Sequence, residues 1–157
     1  MVRTWAPKGQ TPVLYHAGHW QRLSVAGGIT RTEIYFRLYR GSVNDRKLID
    51  FLGALRRQIG KKLLIVWDNL PAHRSKRMKR WLARQGKDFL VEHLPAYAPE
   101  LNPIEYLWGW WKGHALPNFA AQTEWELHHF ARRGLRLAQR RKQTLVVAFW
   151  KQSELCF

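Results

Sequence analysis

Lys62-Leu63-Leu64-Ile65-Val66-Trp67-Asp68-Asn69 is the stretch that decides the fold. Its five consecutive apolar residues show no polar alternation and read as a strand buried on both faces, the pattern of a parallel sheet. Asp68 stands at the carboxyl end of that strand, where sheets flanked by helices place their ligands. The stretch predicts an α/β domain whose inner strand carries a carboxylate to a functional edge.

The flanking sequence supports the same class. Leu48, Ile49, Leu52 and Leu55 form a helical apolar stripe that begins after Asn44 and stops at Gly60. Before it, Arg22–Thr30 and Glu33–Tyr39 are rich in β-branched and aromatic residues and predict an antiparallel pair turning near Thr30-Arg31-Thr32. Residues 1–12 carry Pro7, Gly9 and Pro12 and read as a loop, with a short strand at Val13–Tyr15.

On the carboxyl side, Ser75 to Gln85 places Met78, Trp81 and Leu82 on one helical side, with Gly86 as the stop. Phe89–Leu94 predicts another strand. Asn102 and Pro103 suit the N-cap and first position of a helix whose stripe is Ile104, Leu107, Trp108 and Trp111. Thr123 and Glu126 have capping-box spacing for a further helix, with Leu127, Phe130, Ala131, Leu135 and Ala138 inward. Leu145–Trp150 is expected to pack back on the body.

A chain of 157 residues fits one domain, which at this size buries ~68–70% of its unfolded surface. Lys and Arg outnumber Asp and Glu by 27 to 11, so the formal charge is +16 and a polyanion, nucleic acid above all, is the expected partner. No apolar run approaches the ~20 residues of a membrane span, and residues 1–9 hold no secretory core, so the expected location is cytoplasmic. Cys156 is the single cysteine, which excludes an internal disulfide and a Cys-x-x-Cys zinc site.

Asp68 and Glu105 lie 37 positions apart, one ending a strand and one in the first turn of a helix. Two such carboxylates can converge on a divalent cation, as phosphodiester chemistry requires. Each also has an ordinary explanation. Asp68-Asn69 suits a turn, and Glu105 at the third helical position suits a capping box with Asn102. Gly109 and Lys112, one and two turns above Glu105, leave open space and a cation for a phosphate backbone. His73 either orients a phosphate or water near a metal or starts a helix in solvent, whereas His128-His129 reads as structural. Arg74, Lys76, Arg77, Lys79 and Arg80 form one basic face, and Arg132, Arg133, Arg136 and Arg140 form another, both suited to DNA backbone contact.

Two blocks carry a resemblance. Val66-Trp67-Asp68-Asn69-Leu70-Pro71-Ala72-His73 is followed by Leu94-Pro95-Ala96-Tyr97-Ala98-Pro99-Glu100-Leu101-Asn102-Pro103-Ile104-Glu105-Tyr106-Leu107-Trp108. In order and spacing they resemble the DDE transposases, specifically the bacterial insertion-sequence branch of the Tc-mariner superfamily. Trp5-Ala6-Pro7-Lys8-Gly9-Gln10-Thr11-Pro12 is similar to a segment internal to such catalytic domains, so the resemblance covers nearly the whole chain. It implies a ribonuclease H-like mixed sheet flanked by helices, and DNA cleavage and strand transfer at transposon ends. It also implies Mg²⁺, or Mn²⁺ in its place, at two sites. Asp68 matches the second catalytic Asp and Glu105 the final acid, both as metal ligands. Asn69, His73 and Asn102 match motif positions.

The family's first catalytic Asp lies on a strand upstream of the segment at which this chain begins. The expectation is a domain truncated at its N-terminus, lacking its first central strand. Residues 1–122 would be the incomplete catalytic domain, and 123–157 a basic helix and tail packed on it. Such a chain would need an upstream transposase polypeptide for the first Asp and would act weakly or not at all alone. Analogy suggests a homodimer on DNA. A non-catalytic DNA-binding remnant, or an inhibitor of a full-length transposase, is the rival reading.

Overall fold

A computed structural model describes residues 8–9, 22–115 and 121–155. The expected strand at Val13–Tyr15 and Cys156 lie outside the described residues. Strands β1 (Leu23–Ile29) and β2 (Ile34–Arg40) pair antiparallel, with Leu23 opposite Arg40 and Ile29 opposite Ile34. Thr30 closes their turn, its hydroxyl accepting from the Glu33 amide at 3.0 Å. Helix α1 (Asp45–Ile59) starts at Asn44, whose side chain accepts from the Lys47 amide at 3.1 Å. It ends at Gly60, where φ of +70° needs a residue without a Cβ.

Strand β3 (Leu63–Trp67) pairs in parallel with β4 (Phe89–His93), from Leu63 opposite Phe89 to Trp67 opposite His93. Between them runs α2 (Lys76–Gln85), capped by the Ser75 hydroxyl on the Met78 amide at 3.0 Å. Helix α3 (Pro103–Ala115) follows, then α4 (Glu124–Arg140) and α5 (Lys142–Gln152). At the start of α4, Thr123 accepts from the Glu126 amide at 3.1 Å, while the Glu126 carboxylate reaches one residue further back, to the Gln122 amide at 2.8 Å. Segment 145–150 lies within α5, whose Val146 and Phe149 are buried in one cluster with Leu107 and Ala138.

Alternation along the first ribbon sets the layers. Ala26, Tyr35 and Tyr39 face α1, and with Phe51, Leu52, Leu55, Trp67, Met78 and Phe89 they form one core shared by both sheets. Ile34, Phe36 and Leu38 face the other way, onto Leu107 and Trp111 of α3, Leu135 and Ala138 of α4, and Val146 and Phe149 of α5. Leu107 and Leu135 are fully shielded, each burial contributing about 1.5–3 kcal/mol. Gly27 lets α3 approach the ribbon: a Cβ there would stand 2.5 Å from the Trp108 ring.

One expectation requires correction. The run 63–67 is not buried on both faces: Leu64 is 53% exposed, and Leu90 beside it on β4 is 64% exposed. Leu63, Ile65 and Trp67 meet the core under α1 and α2, but among the described residues that core lies on only one face of the β3–β4 pair.

Among the described residues the strands form two separate two-stranded sheets, although one core underlies both. Between β1 and β3 lies a cavity of about 490 Å³ lined by residues 25–29 and 63–67, with Phe51 and Leu55 of α1 and Trp108 of α3. No described helix is long and apolar enough to cross a membrane.

Candidate active site

The end of β3 is fixed by its neighbour. The Leu94 amide donates to the Trp67 carbonyl at 2.9 Å, and the Asn69 side-chain amide donates to the Leu94 carbonyl at 3.1 Å. Asp68 Oδ1 accepts from the Leu70 amide at 3.1 Å and lies 2.8 Å from His73 Nδ1. A carboxylate cannot donate, so His73 carries its hydrogen on Nδ1. That same nitrogen lies 3.1 Å from the Asp68 carbonyl, and the His73 ring stacks on Trp67 at 4.3 Å. Asp68 is therefore both a turn residue and a candidate ligand. Oδ1 closes the turn, and Oδ2 has no recorded partner among the described residues.

Glu105 enters from α3. The buried Asn102 side chain accepts from the Ile104 amide at 3.3 Å, as an N-cap should. The Asn102 amide donates to the Pro99 carbonyl at 3.0 Å, so the reciprocal half of a capping box is not made. Glu105 is exposed; its amide donates to the Asn102 carbonyl at 3.0 Å, and its carboxylate has no hydrogen-bond or ion-pair partner among the described residues. Asp68 and Glu105 line one cleft of about 490 Å³, together with Asn69, Arg74, Tyr97 and Asn102. Both also border the cavity between β1 and β3.

Among the described residues, a third acid does not join them. Among the described residues no group of three His, Cys, Asp or Glu side chains could hold a metal. Glu33 pairs with Lys142, and Asp45 accepts from the Ser75 hydroxyl at 3.0 Å with Arg77 3.7 Å away. Two carboxylates offer hard oxygens that suit one Mg²⁺ or Mn²⁺ completed by water, and they are too few to position a pair.

The basic candidates divide. Arg74 lines the cleft. Lys76, Arg77, Lys79 and Arg80 are exposed on α2, while Arg132, Arg133, Arg136 and Arg140 are exposed on α4, whose core lies across the ribbon from that of α2. Lys112 is exposed on α3, and Gly109 has open space around it. His129 stacks on Trp125 at 5.0 Å, both of them exposed on α4.

Tyr97 stands out only in the structure. Its φ is +59°, its side chain is fully exposed, and it forms part of the cleft rim. The signal available in sequence is an aromatic held between Pro95 and Pro99.

The profile of the DDE superfamily endonuclease family matches residues 2–128. The Tc1 transposase of Caenorhabditis elegans is 30% identical over 110 residues, which is 66% of this chain and 39% of that protein. The Tcb2 transposase of Caenorhabditis briggsae is 42% identical over 53 residues, 34% of this chain and 19% of that protein. This chain thus spans well under half the length of either relative.

Similar folds occur in the Mos1 strand transfer complex and in the catalytic domain of Mos1 mariner transposase. The first matches at a TM-score of 0.61 and 19% identity, over 94% of this chain and 49% of that one. The second matches at 0.57 and 18%, over 87% and 78%. The mixed α/β architecture is accordingly ribonuclease H-like. On its family match, the chain belongs to the DDE superfamily endonucleases, and its similar relatives are transposases of the Tc1 type.

Proposed function

We propose that this chain is the C-terminal part of a transposase of the bacterial insertion-sequence branch, cutting and joining DNA at transposon ends. Asp68 and Glu105 are its metal-holding catalytic pair, and an upstream polypeptide supplies the remaining carboxylate. The observation that carries the reading is the pair itself: two carboxylates from different elements open on one cleft, unpaired with any Lys or Arg among the described residues, in a chain of charge +16. Bound there, Mg²⁺ or Mn²⁺ supplies Lewis-acid polarisation of the phosphate and activation of water or a 3′ hydroxyl.

The chain's own residues would do the rest. His73 holds Asp68 Oδ1 and would leave Oδ2 free to hold the cation, and Asn69 ties the site to the end of β4. Asn102 starts the helix that presents Glu105. Arg74 meets a phosphate at the cleft, and the exposed cations of α2, α4 and Lys112 hold the DNA backbone through counterion release.

The cavity between β1 and β3 supports the need for a second polypeptide. It lies between two strands that each have one edge without a strand partner among the described residues, and Asp68 and Glu105 border it. Residues 123–157 belong to the same unit in this reading, supported by the Gln139 amide on the Ile34 carbonyl at 2.7 Å and the Trp150 indole on the Thr30 carbonyl at 2.9 Å.

The test is nicking of plasmid DNA carrying the element's end, by the chain alone and with the polypeptide encoded upstream. Little or no Mg²⁺-dependent cleavage by the chain alone is expected, and clear cleavage by the mixture, lost in Asp68→Ala and in Glu105→Gln. Strong cleavage by the chain alone, abolished by Asp68→Ala, would refute the requirement for a partner. The missing third carboxylate also favours a second reading, a DNA-binding remnant. Equal DNA binding by wild type and Glu105→Gln, with no Mg²⁺ effect in either and no cleavage by the mixture, would establish it.

A further inference from the structure

Tyr97 occupies a backbone state that L-residues avoid, at φ of +59°, and its side chain recovers nothing from the protein because it is fully exposed. A left-handed conformation strains a residue with a Cβ, and glycine or asparagine would take this position more easily. The loop that carries it is tied at both ends. The Leu94 carbonyl is held by Asn69, the Leu101 amide donates to the Ala98 carbonyl at 3.2 Å, and the Asn102 amide donates to the Pro99 carbonyl at 3.0 Å. Pro95 and Pro99 restrict the backbone on either side. The loop, held at both ends, displays an aromatic ring to solvent at the rim of the Asp68 and Glu105 cleft.

Uncompensated strain of this kind gathers at ligand clamps. The ligand's chemistry follows from the surroundings. Arg74 in the same cleft offers a phosphate contact, and the whole chain carries +16, so the partner is a polyanion. A polyanion that also presents flat π-faces is a nucleic acid strand, and base stacking on an exposed aromatic ring does not depend on sequence.

We propose that Tyr97 is a stacking platform for an unpaired nucleobase of the DNA strand whose phosphate lies over Asp68 and Glu105. The inference rests on the DNA-cleaving reading and adds a positioning residue to it. Arg74 and Tyr97 then grip one nucleotide at its phosphate and its base, which fixes the scissile bond relative to the two carboxylates.

The experiment uses the full chain and a short duplex with a single-stranded overhang carrying 2-aminopurine, with Ca²⁺ in place of Mg²⁺. Wild type should bind and quench the fluorescent base. Tyr97→Ala and Tyr97→Gly should lose the quench and roughly 5- to 140-fold in affinity, the size of one base–aromatic stack. Tyr97→Trp should retain both. Glycine relieves the backbone strain, so that variant folds at least as well as wild type and keeps the test interpretable. If Tyr97→Ala and Tyr97→Gly bind and quench like wild type, this inference is overturned while the DNA-cleaving reading stands. If wild type binds neither the overhang probe nor a plain duplex, both are overturned.

Discussion

His73 illustrates how one side chain can serve a fold and a site together. Its ring stacks on Trp67 and its Nδ1 holds Asp68 Oδ1 at 2.8 Å, so the orientation of the proposed ligand depends on it. His73→Ala should weaken Mn²⁺ affinity by about 10- to 100-fold, as loss of a ligand's supporting partner typically does, while calorimetry shows a folded protein. Unchanged affinity would remove His73 from the site. Tyr39 gives a second residue-scale expectation. Burial first, and then its hydrogen bond to Asp50, push its phenol up to about 12. The folded state thus keeps a proton that the unfolded chain releases near pH 10. Stability should be full below pH 10 and fall as pH rises toward 12, with a shallower fall in Tyr39→Phe. At this scale the sequence was readable where chemistry is local, as with the cap at Asn102 and the turn at Asp68. Tyr97 was not readable, because a positive φ at a tyrosine leaves no mark in composition or spacing.

Among the elements, β1 and α3 depend on each other through a single missing side chain. A methyl group at Gly27 would collide with Trp108 on the helix that carries Glu105. Gly27→Ala should cost about 1–3 kcal/mol by overpacking. In a domain of this size that lowers the melting temperature by roughly 2–4 °C per kcal/mol, measurable by thermal denaturation. Gly109→Ala, on the open face of the same helix, should be neutral or stabilising. The helices α1 to α4 and the order of strands were legible from period and caps. The apolar run 63–67 was misread as doubly covered, because such a run signals strand propensity without saying whether a second layer lies over it. Leu64 and Leu90 show that it does not. Helix α5 went unassigned because it has no capping side chain at Arg141 and begins Lys142-Gln143-Thr144-Leu145-Val146-Val147, rich in β-branched residues.

At the scale of the molecule, the governing feature among the described residues is one core shared by two separate two-stranded sheets. A polypeptide that fills the cavity between β1 and β3 binds only the folded chain. At a hundred times its dissociation constant it should therefore add about 2.7 kcal/mol of stability. Absence of any thermal shift with the upstream polypeptide would argue against that cavity as its seat. The places of Asp68 at a strand end and Glu105 in the first turn of a helix were legible from spacing and motif, whereas the gap beside them emerges only in three dimensions. The central claim is that these two carboxylates share one divalent ion. Titration calorimetry with Mn²⁺ tests it most directly. One ion per wild-type chain is predicted, with affinity reduced at least tenfold in both Asp68→Asn and Glu105→Gln, a loss of about 1.4 kcal/mol or more. Equal Mn²⁺ binding by wild type and both variants would contradict the claim.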